Sequence, residues 1–455
     1  MANPWPAVHA FAQARWGLRF ASRDQLLAWQ QTRIRAFIDT TLPRAAFYAD
    51  RHGAALESLP IVDKRTVLGR FADFNTHAIS LDRALDVAQA AERSRDFVPT
   101  IDGLTVGLSS GTSGTRGVFL VSAAERQQWA GLILARLLSA ASLRHLITPW
   151  QRPLRIAFSL RANSNLYETV ASRRVQFGFH DLLEPLERHV DRLNAAPPDI
   201  LIAPPTVLHR LADAALAGAL HIAPTQIVSV AEVIEPDDRE VITRAFGAPI
   251  QEVYQATEGF LAATCSAGRL HLNEEFVHIE PEWLDADHRR FRPIVTDFTR
   301  TTQLIVRYRL DDVLRVADGP CACGRVTRVL DAIEGRADDV LWCVPLGGGR
   351  SREIFPDVIR RSMALAGTGI ADYRIEQHEL VWQVQLCAND ANARVGGDVV
   401  ADAAHTVTRE LRALCASLAV EMPTLRFEPW LATSPLDKRR RIRCVTKPTH
   451  AESVA

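Results

Sequence analysis

Between residues 123 and 230 the chain alternates strand-length apolar runs with longer helical stretches. This alternation constrains the fold more than any other feature. Arg155–Leu160, Ile200–Ala203 and Gln226–Val230 are strand-like, and they are separated by helical stretches such as Ala123–Leu138 and Pro205–Ala219. Strand–helix–strand repetition of this length predicts parallel pairing inside a layered α/β domain. Upstream, Asp24–Thr41 carries Leu26, Leu27, Ile34, Phe37 and Ile38 close to a 3.6-residue period, the mark of an amphipathic helix. Leu59–Lys64 reads as a connector into another helix. From about Gly335 the texture changes. Gly347-Gly348-Gly349 is followed by a helix near Phe355–Leu365, strands at Tyr373–Gln377 and Leu380–Cys387, a helical stretch Asp398–Leu418 and a last strand Leu425–Trp430. The expected architecture is a large N-terminal layered α/β domain over residues 1–334. A small C-terminal α+β domain of ferredoxin-like type then spans residues 335–455.

Composition excludes several classes of function. Of the 455 residues 53 are basic and 53 acidic, so the formal charge cancels, and no nucleic-acid or anionic-membrane partner is expected. The longest apolar run, Trp129–Leu143, is interrupted by Arg136 and falls short of the roughly 18–20 residues a membrane span needs. The N-terminus lacks the basic start and apolar stretch of a secretory signal. Seven cysteines, an odd and low number, argue for a reducing compartment, so the expected location is cytoplasmic. Lysine is rare: only Lys64, Lys438 and Lys447 occur, leaving 50 of the 53 basic residues as arginine.

The most pointed local signal is Leu108-Ser109-Ser110-Gly111-Thr112-Ser113-Gly114-Thr115-Arg116-Gly117, with three glycines and five hydroxyl residues in ten positions. It lies between the strand-like runs Leu104–Leu108 and Val118–Val121. Glycines let backbone N–H groups turn inward, and Ser and Thr hydroxyls add short donors, a combination that cradles phosphate oxygens. A polar hairpin turn is the bland alternative. No Gly-Lys pair occurs in the chain, so this is not the common Gly-Lys-Ser/Thr nucleotide loop. Gly107-Leu108-Ser109-Ser110-Gly111 also matches a serine-hydrolase elbow, but an elbow runs directly from strand into helix. Here a second strand intervenes before Ser122-Ala123-Ala124-Glu125, which reads as a helix capping box.

Three later segments follow in order: Gln251–Gly259, a strand ending in a Thr-Glu-Gly turn; Arg307-Tyr308-Arg309-Leu310-Asp311-Asp312; and Glu334-Gly335-Arg336-Ala337-Asp338-Asp339. After a Ser/Thr/Gly loop, this set resembles the adenylate-forming superfamily of acyl-CoA synthetases, most closely the phenylacetate–CoA ligase branch with its deazaflavin-adenylylating relatives. The resemblance implies that Ser109, Ser110, Gly111, Thr112, Ser113 and Gly114 hold the β,γ-phosphates of ATP. It places Ala231 and Glu232 along the adenine, Tyr254 against it, Thr257 near the α-phosphate and Glu258 on Mg²⁺. Asp312 would bind the ribose hydroxyls, with Asp311 as the alternative. Arg336 and Asp338 would mark the hinge of a mobile C-terminal domain. The family's C-terminal catalytic lysine falls in Ser434–Arg443, which contains Lys438 and, as an alternative cation, Arg441.

Cys321-Ala322-Cys323 is a tight pair of soft ligands, and Cys265 and His271 lie six positions apart. Three thiolates and an imidazole make a closed tetrahedral zinc set, structural rather than catalytic; free buried thiols are the other reading. The resemblance implies a structural Zn²⁺ on these residues. It further implies that a small carboxylic acid and ATP give acyl-AMP and pyrophosphate, with transfer to a thiol such as CoA or a carrier protein. The alternatives are a nucleotidyltransferase acting on a hydroxyl of a deazaflavin-type coenzyme and a catalytically impaired ATP-binding protein. The acid pocket is expected near Phe158–Tyr167, Val230–Val233 and the residues flanking Tyr254.

Overall fold

A computed structural model describes residues 4–96, 98–108, 117–160, 170–336, 339–367, 370–388, 399–431 and 440–448. The chain divides into two compact units, Met1–Leu310 with Arg315–Ala332, and Asp311–Leu314 with Ile333–Ala455. No helix among the described residues is long and apolar enough to cross a membrane.

Most of a twelve-stranded mixed sheet lies in the first unit. One half is parallel, in the order Val175–Asp181, Leu154–Leu160, Ile200–Ala203, Gln226–Ser229, Ile250–Ala256. The pairing becomes antiparallel where Ile250–Ala256 turns back through Thr257 and Glu258 into Gly259–Thr264. Beyond it lie Leu270–Leu272, Val329–Arg336, Asp312–Val316, Arg290–Thr296 and His278–Trp283. Side chains alternate across the parallel strands, so the two faces build separate cores. Ala157, Leu201, Ala203 and Ile227 pack with residues of the helices Leu186–Ala195, Pro205–Leu216 and Pro236–Phe246. Ile156, Phe158, Ile200, Ile202 and Val253 pack on the other face against the helix Ala123–Leu137.

That helix starts as its sequence dictates. Glu125 N–H donates to Ser122 Oγ at 3.2 Å and Ser122 N–H donates to Glu125 Oε2 at 2.7 Å, closing both halves of a capping box. Its far end is held by Arg15, whose Nη1 donates to the carbonyls of Ala135 (3.0 Å) and Leu138 (2.8 Å). These last-turn acceptors would otherwise lack partners. Arg136, the charge that breaks the apolar run, is largely but not fully buried and ion-paired with Glu275 at 2.9 Å. The helix Trp5–Ala12 crosses at Gly131, where a Cβ would sit 2.1 Å from Ala7 O. Gly131→Ala is therefore expected to push the two helices apart and cost about 1–3 kcal/mol. A thermal melt indistinguishable from the parent would contradict this close crossing.

The second unit carries a four-stranded sheet in the order Thr424–Glu428, Val381–Ala388, Ile370–His378, Ile442–Thr446. The two central strands form an antiparallel hairpin, and each outer strand runs parallel to its neighbour. The paired residues Ile375 and Val384, Tyr373 and Leu386, with Trp382, face the helices Pro356–Leu365 and Val399–Ser417 in one core. Leu425–Trp430 was expected as the last strand. Instead that strand is Thr424–Glu428, and Ile442–Thr446 follows it.

Candidate functional site

In parallel α/β sheets, ligands gather where strands end at their carboxyl termini. Several of the singled-out residues of the first unit lie at such ends. Ala231 and Glu232 follow the strand Gln226–Ser229, and Thr257 and Glu258 follow Ile250–Ala256. Ala231 takes φ = +68°, and Glu232 N–H closes a tight turn onto Val230 O at 2.9 Å. This is the uncommon, strained form of γ-turn, and such strain costs on the order of 1–3 kcal/mol and concentrates at ligand sites. The Glu232 carboxylate is fixed by Thr206 Oγ1, which donates to it at 2.8 Å from the first turn of the helix Pro205–Leu216.

Thr257 and Glu258 form the two-residue turn of the hairpin. Neither has a positive φ, so the turn lacks the twist that tight hairpins usually draw from left-handed residues. A register shift at Tyr254/Gln255 absorbs the difference, a device common beside active sites. Thr257 Oγ1 donates to Glu258 Oε2 at 2.8 Å. Half-buried Glu258 is a hard oxygen donor of the kind Mg²⁺ takes. Tyr254 is buried in the same strand.

Beside these residues an apolar cavity of about 100 Å³ lies between the sheet and the helix Ala123–Leu137. Phe158 and Leu160, Val230 and Ala231, and Val253 and Gln255 line it from the sheet side, and Trp129, Ile133 and Leu137 from the helix. The first six belong to the segments expected to form an acid pocket. The helical wall was missed, since periodicity locates a buried stripe without saying what it faces. Residues 161–167 of the expected lining lie outside the described residues, as do the loop residues Ser109, Ser110, Gly111, Thr112, Ser113 and Gly114, with Asp338 and Lys438.

The remaining candidates belong to the second unit. Arg336 Nη2 pairs with Asp311 at 3.1 Å, and Asp312 opens the strand Asp312–Val316. Arg336 N–H donates to Asp339 at 2.8 Å, and the same buried carboxylate receives Arg440 Nε and Nη2 at 2.8 and 2.6 Å. Gly335 has φ = +118°, and a Cβ there would lie 2.9 Å from Asp339 Oδ2. Only glycine fits this bend without strain. Arg441 Nε donates to Asp372 at 2.8 Å, and its guanidinium lies over the Tyr373 ring at 4.9 Å.

Cys265, His271, Cys321 and Cys323 converge within the first unit, with all four ligand atoms within 4.8 Å of one another. Cys265 Sγ and Cys321 Sγ are 3.6 Å apart, and Cys323 Sγ and His271 Nε2 are 3.4 Å apart. Zinc bonded tetrahedrally to sulfur and imidazole sets edges of about 3.8 Å (S to S) and about 3.6 Å (S to N). Both edges fit zinc, and the Cys265–Cys321 separation is far too long for a disulfide bond; the other pairs would close by no more than about 1 Å. His271 Nδ1 meets Thr327 Oγ1 at 2.9 Å, which orients Nε2 toward the sulfurs as outer partners of metal-bound histidines do. Burial, aided by nearby Arg325, pushes the His271 pKa down to about 4, favouring the neutral imidazole.

No family model and no curated protein matches the sequence. Solved structures do match. One is 2-hydroxyisobutyryl-CoA ligase in the postadenylation state in complex with R3-HIB-AMP, at TM-score 0.62 and 17% identity, covering 93% of this chain and 89% of that one. The fold is that of the adenylate-forming ligases. An open conformation of the same ligase with 2-HIB-AMP and CoA matches at TM-score 0.53 and 16% identity, covering 93% and 91% of the two chains. The GH3.15 acyl acid amido synthetase matches at TM-score 0.58 and 12% identity, covering 93% and 92%.

Proposed function

We propose that the protein activates an apolar carboxylic acid with ATP, releasing pyrophosphate, and then passes the acyl group to a thiol such as CoA. The observation that carries this reading is the apolar cavity in a chain with the adenylate-forming ligase fold. The cavity shares its walls with Ala231 and with the strand leading to Thr257 and Glu258. A carboxylate seated at its mouth would lie close to the residues assigned to the nucleotide.

In the first step a carboxylate oxygen attacks the α-phosphorus and the bond to the β-phosphate oxygen breaks, giving acyl-AMP and pyrophosphate. In the second a thiolate attacks the acyl carbon and AMP leaves. Nucleophile and phosphate carry like charge, so the protein must bring positive charge and N–H groups to the phosphates. The loop Ser109–Gly114 and Lys438 take that task, while Asp312 holds the ribose diol and Tyr254 and Glu232 flank the base. Bound Mg²⁺, held by Glu258, would neutralise phosphate charge. The four-residue Cys/His set would hold a structural Zn²⁺, and residues 335–339 would serve as the hinge.

Apolar cavities of on the order of 100–150 Å³ accept a benzene-sized group. Burying six carbons of such a tail contributes about 4–5 kcal/mol by area bookkeeping. Phenyl-sized or branched acids are therefore expected to exceed acetate in kcat/KM by on the order of 10³. A hydroxyl on the tail should cost about 1–3 kcal/mol wherever it faces the aliphatic and phenyl side chains that make up most of the described lining. These properties favour an acyl group over a deazaflavin with its polyol chain. Pyrophosphate exchange measured over aromatic, branched, long-chain and amino acids tests the reading. Exchange that ignores the acid, or prefers polar acids, contradicts it; a stable AMP–flavin product would point to the nucleotidyltransferase.

A further inference from the structure

The run Asp297-Phe298-Thr299-Arg300-Thr301-Thr302-Gln303 is a polar insert between apolar segments of the first unit, yet Asp297, Thr302 and Gln303 are buried. Buried polar groups need partners, and theirs reach in two directions. One is the strand Val118–Val121, which follows the glycine-rich loop, and the helix after it. Gln303 Oε1 accepts from Leu120 N–H at 2.9 Å, while the Glu125 carboxylate accepts from the N–H groups of Thr301 and Thr302 at 2.6 and 2.9 Å. The other direction is the hairpin turn. Arg300 Nη2 donates to Thr257 O at 2.6 Å.

Arg300 is itself held from behind. Its Nε lies 3.5 Å from Asp297 Oδ2, and Asp297 Oδ1 accepts from Thr299 N–H and Oγ1 at 2.9 and 2.6 Å. The peptide joining Thr257 to Glu258 is planar, so a fixed Thr257 carbonyl also fixes the plane that carries the Glu258 N–H. The turn has no left-handed residue to lock it, which makes an external anchor more consequential.

We propose that Arg300 is a positioning residue for adenylation: it fixes the Thr257–Glu258 turn and links it, through residues 297–303, to the strand leaving the glycine-rich loop. This rests on the ligase reading above. The Thr257–Glu258 turn and the strand Val118–Val121 are thereby held by the same run of residues. Misplacement of reacting groups by about 1 Å can cost on the order of 10² in rate, so the effect belongs in kcat.

The test compares Arg300→Lys and Arg300→Gln with the parent in pyrophosphate exchange, using the best acid of the panel and full kcat and KM determination. Thermal melts of the same samples give the folded fraction. Arg300→Gln is expected to lower kcat about 10–100-fold per folded molecule, with the KM for ATP and for acid changed by less than about threefold. Arg300→Lys keeps the charge but loses the planar fork, and is expected to recover part of the rate. Exchange within about twofold of the parent in both variants, or losses that merely follow the unfolded fraction, overturns the proposal. Parent activity separates the two claims: a folded parent with no acid-dependent exchange removes the ligase reading and this inference with it, whereas an active parent with full-rate variants removes the inference alone.

Discussion

Replacing Lys438 by alanine is expected to slow acid-dependent AMP formation by on the order of 10²–10³, the usual effect of deleting one positioned charge stabiliser, while ATP still binds. The reason is electrostatic. Bringing a carboxylate to an α-phosphate places two anions within bonding distance, and the second unit is the expected source of the cation that offsets their repulsion. Two arginines beside Lys438 already have other tasks. Arg440 is bound to the buried carboxylate of Asp339, and Arg441 to Asp372 and the Tyr373 ring. Removing one partner of a buried ion pair costs about 3–5 kcal/mol, which holds Arg440 on Asp339, while Arg441 is held by a partly exposed carboxylate together with the Tyr373 ring. Arg441→Ala is thus expected to lower the melting temperature more than the chemistry. Normal single-turnover adenylation by Lys438→Ala would move the catalytic cation elsewhere in the chain.

The second large effect concerns the Cys/His cluster. Cys323→Ser is expected to reduce zinc content from about one ion per chain to near none, and to lower the melting temperature by roughly 4–5 °C, as loss of about 3 kcal/mol would do in a unit of this size. A zinc ion on these four side chains would tie the segment after Gly259–Thr264 to the turn before Val329–Arg336. Elemental analysis and thermal melts of the parent, the variant and a chelator-treated sample measure both effects. A folded parent that binds no zinc would assign these residues to ordinary packing.

Legibility in the sequence followed local chemistry. The capping box at Ser122 and Glu125 and the strands Leu104–Leu108, Val118–Val121 and Ile200–Ala203 could be read because short-range pattern and tertiary role coincide there. The antiparallel strands between residues 259 and 336 were not read. Leu270–Leu272 is only three residues long, and His278–Trp283 has Pro281 within it, so neither shows a clear period. Ile442–Thr446 was hidden by its arginine-rich approach, which resembles a solvated tail until the sheet places it beside Ile370–His378. Arg300 carried no signal of its own in a chain where nearly every basic residue is arginine. The run Asp297–Gln303 that holds it could have drawn notice as a polar stretch between apolar segments, but what it binds is separated from it by about 40 to 180 positions. Such contacts follow from the fold and not from local spacing.

Isotope transfer addresses the central claim most directly. With the preferred acid carrying ¹⁸O in its carboxylate and a thiol acceptor present, attack on the α-phosphorus leaves one labelled oxygen in the AMP released. The account predicts AMP heavier by one ¹⁸O and unlabelled pyrophosphate. Label in inorganic phosphate, with ADP as the nucleotide product, would show attack at the γ-phosphorus and contradict it.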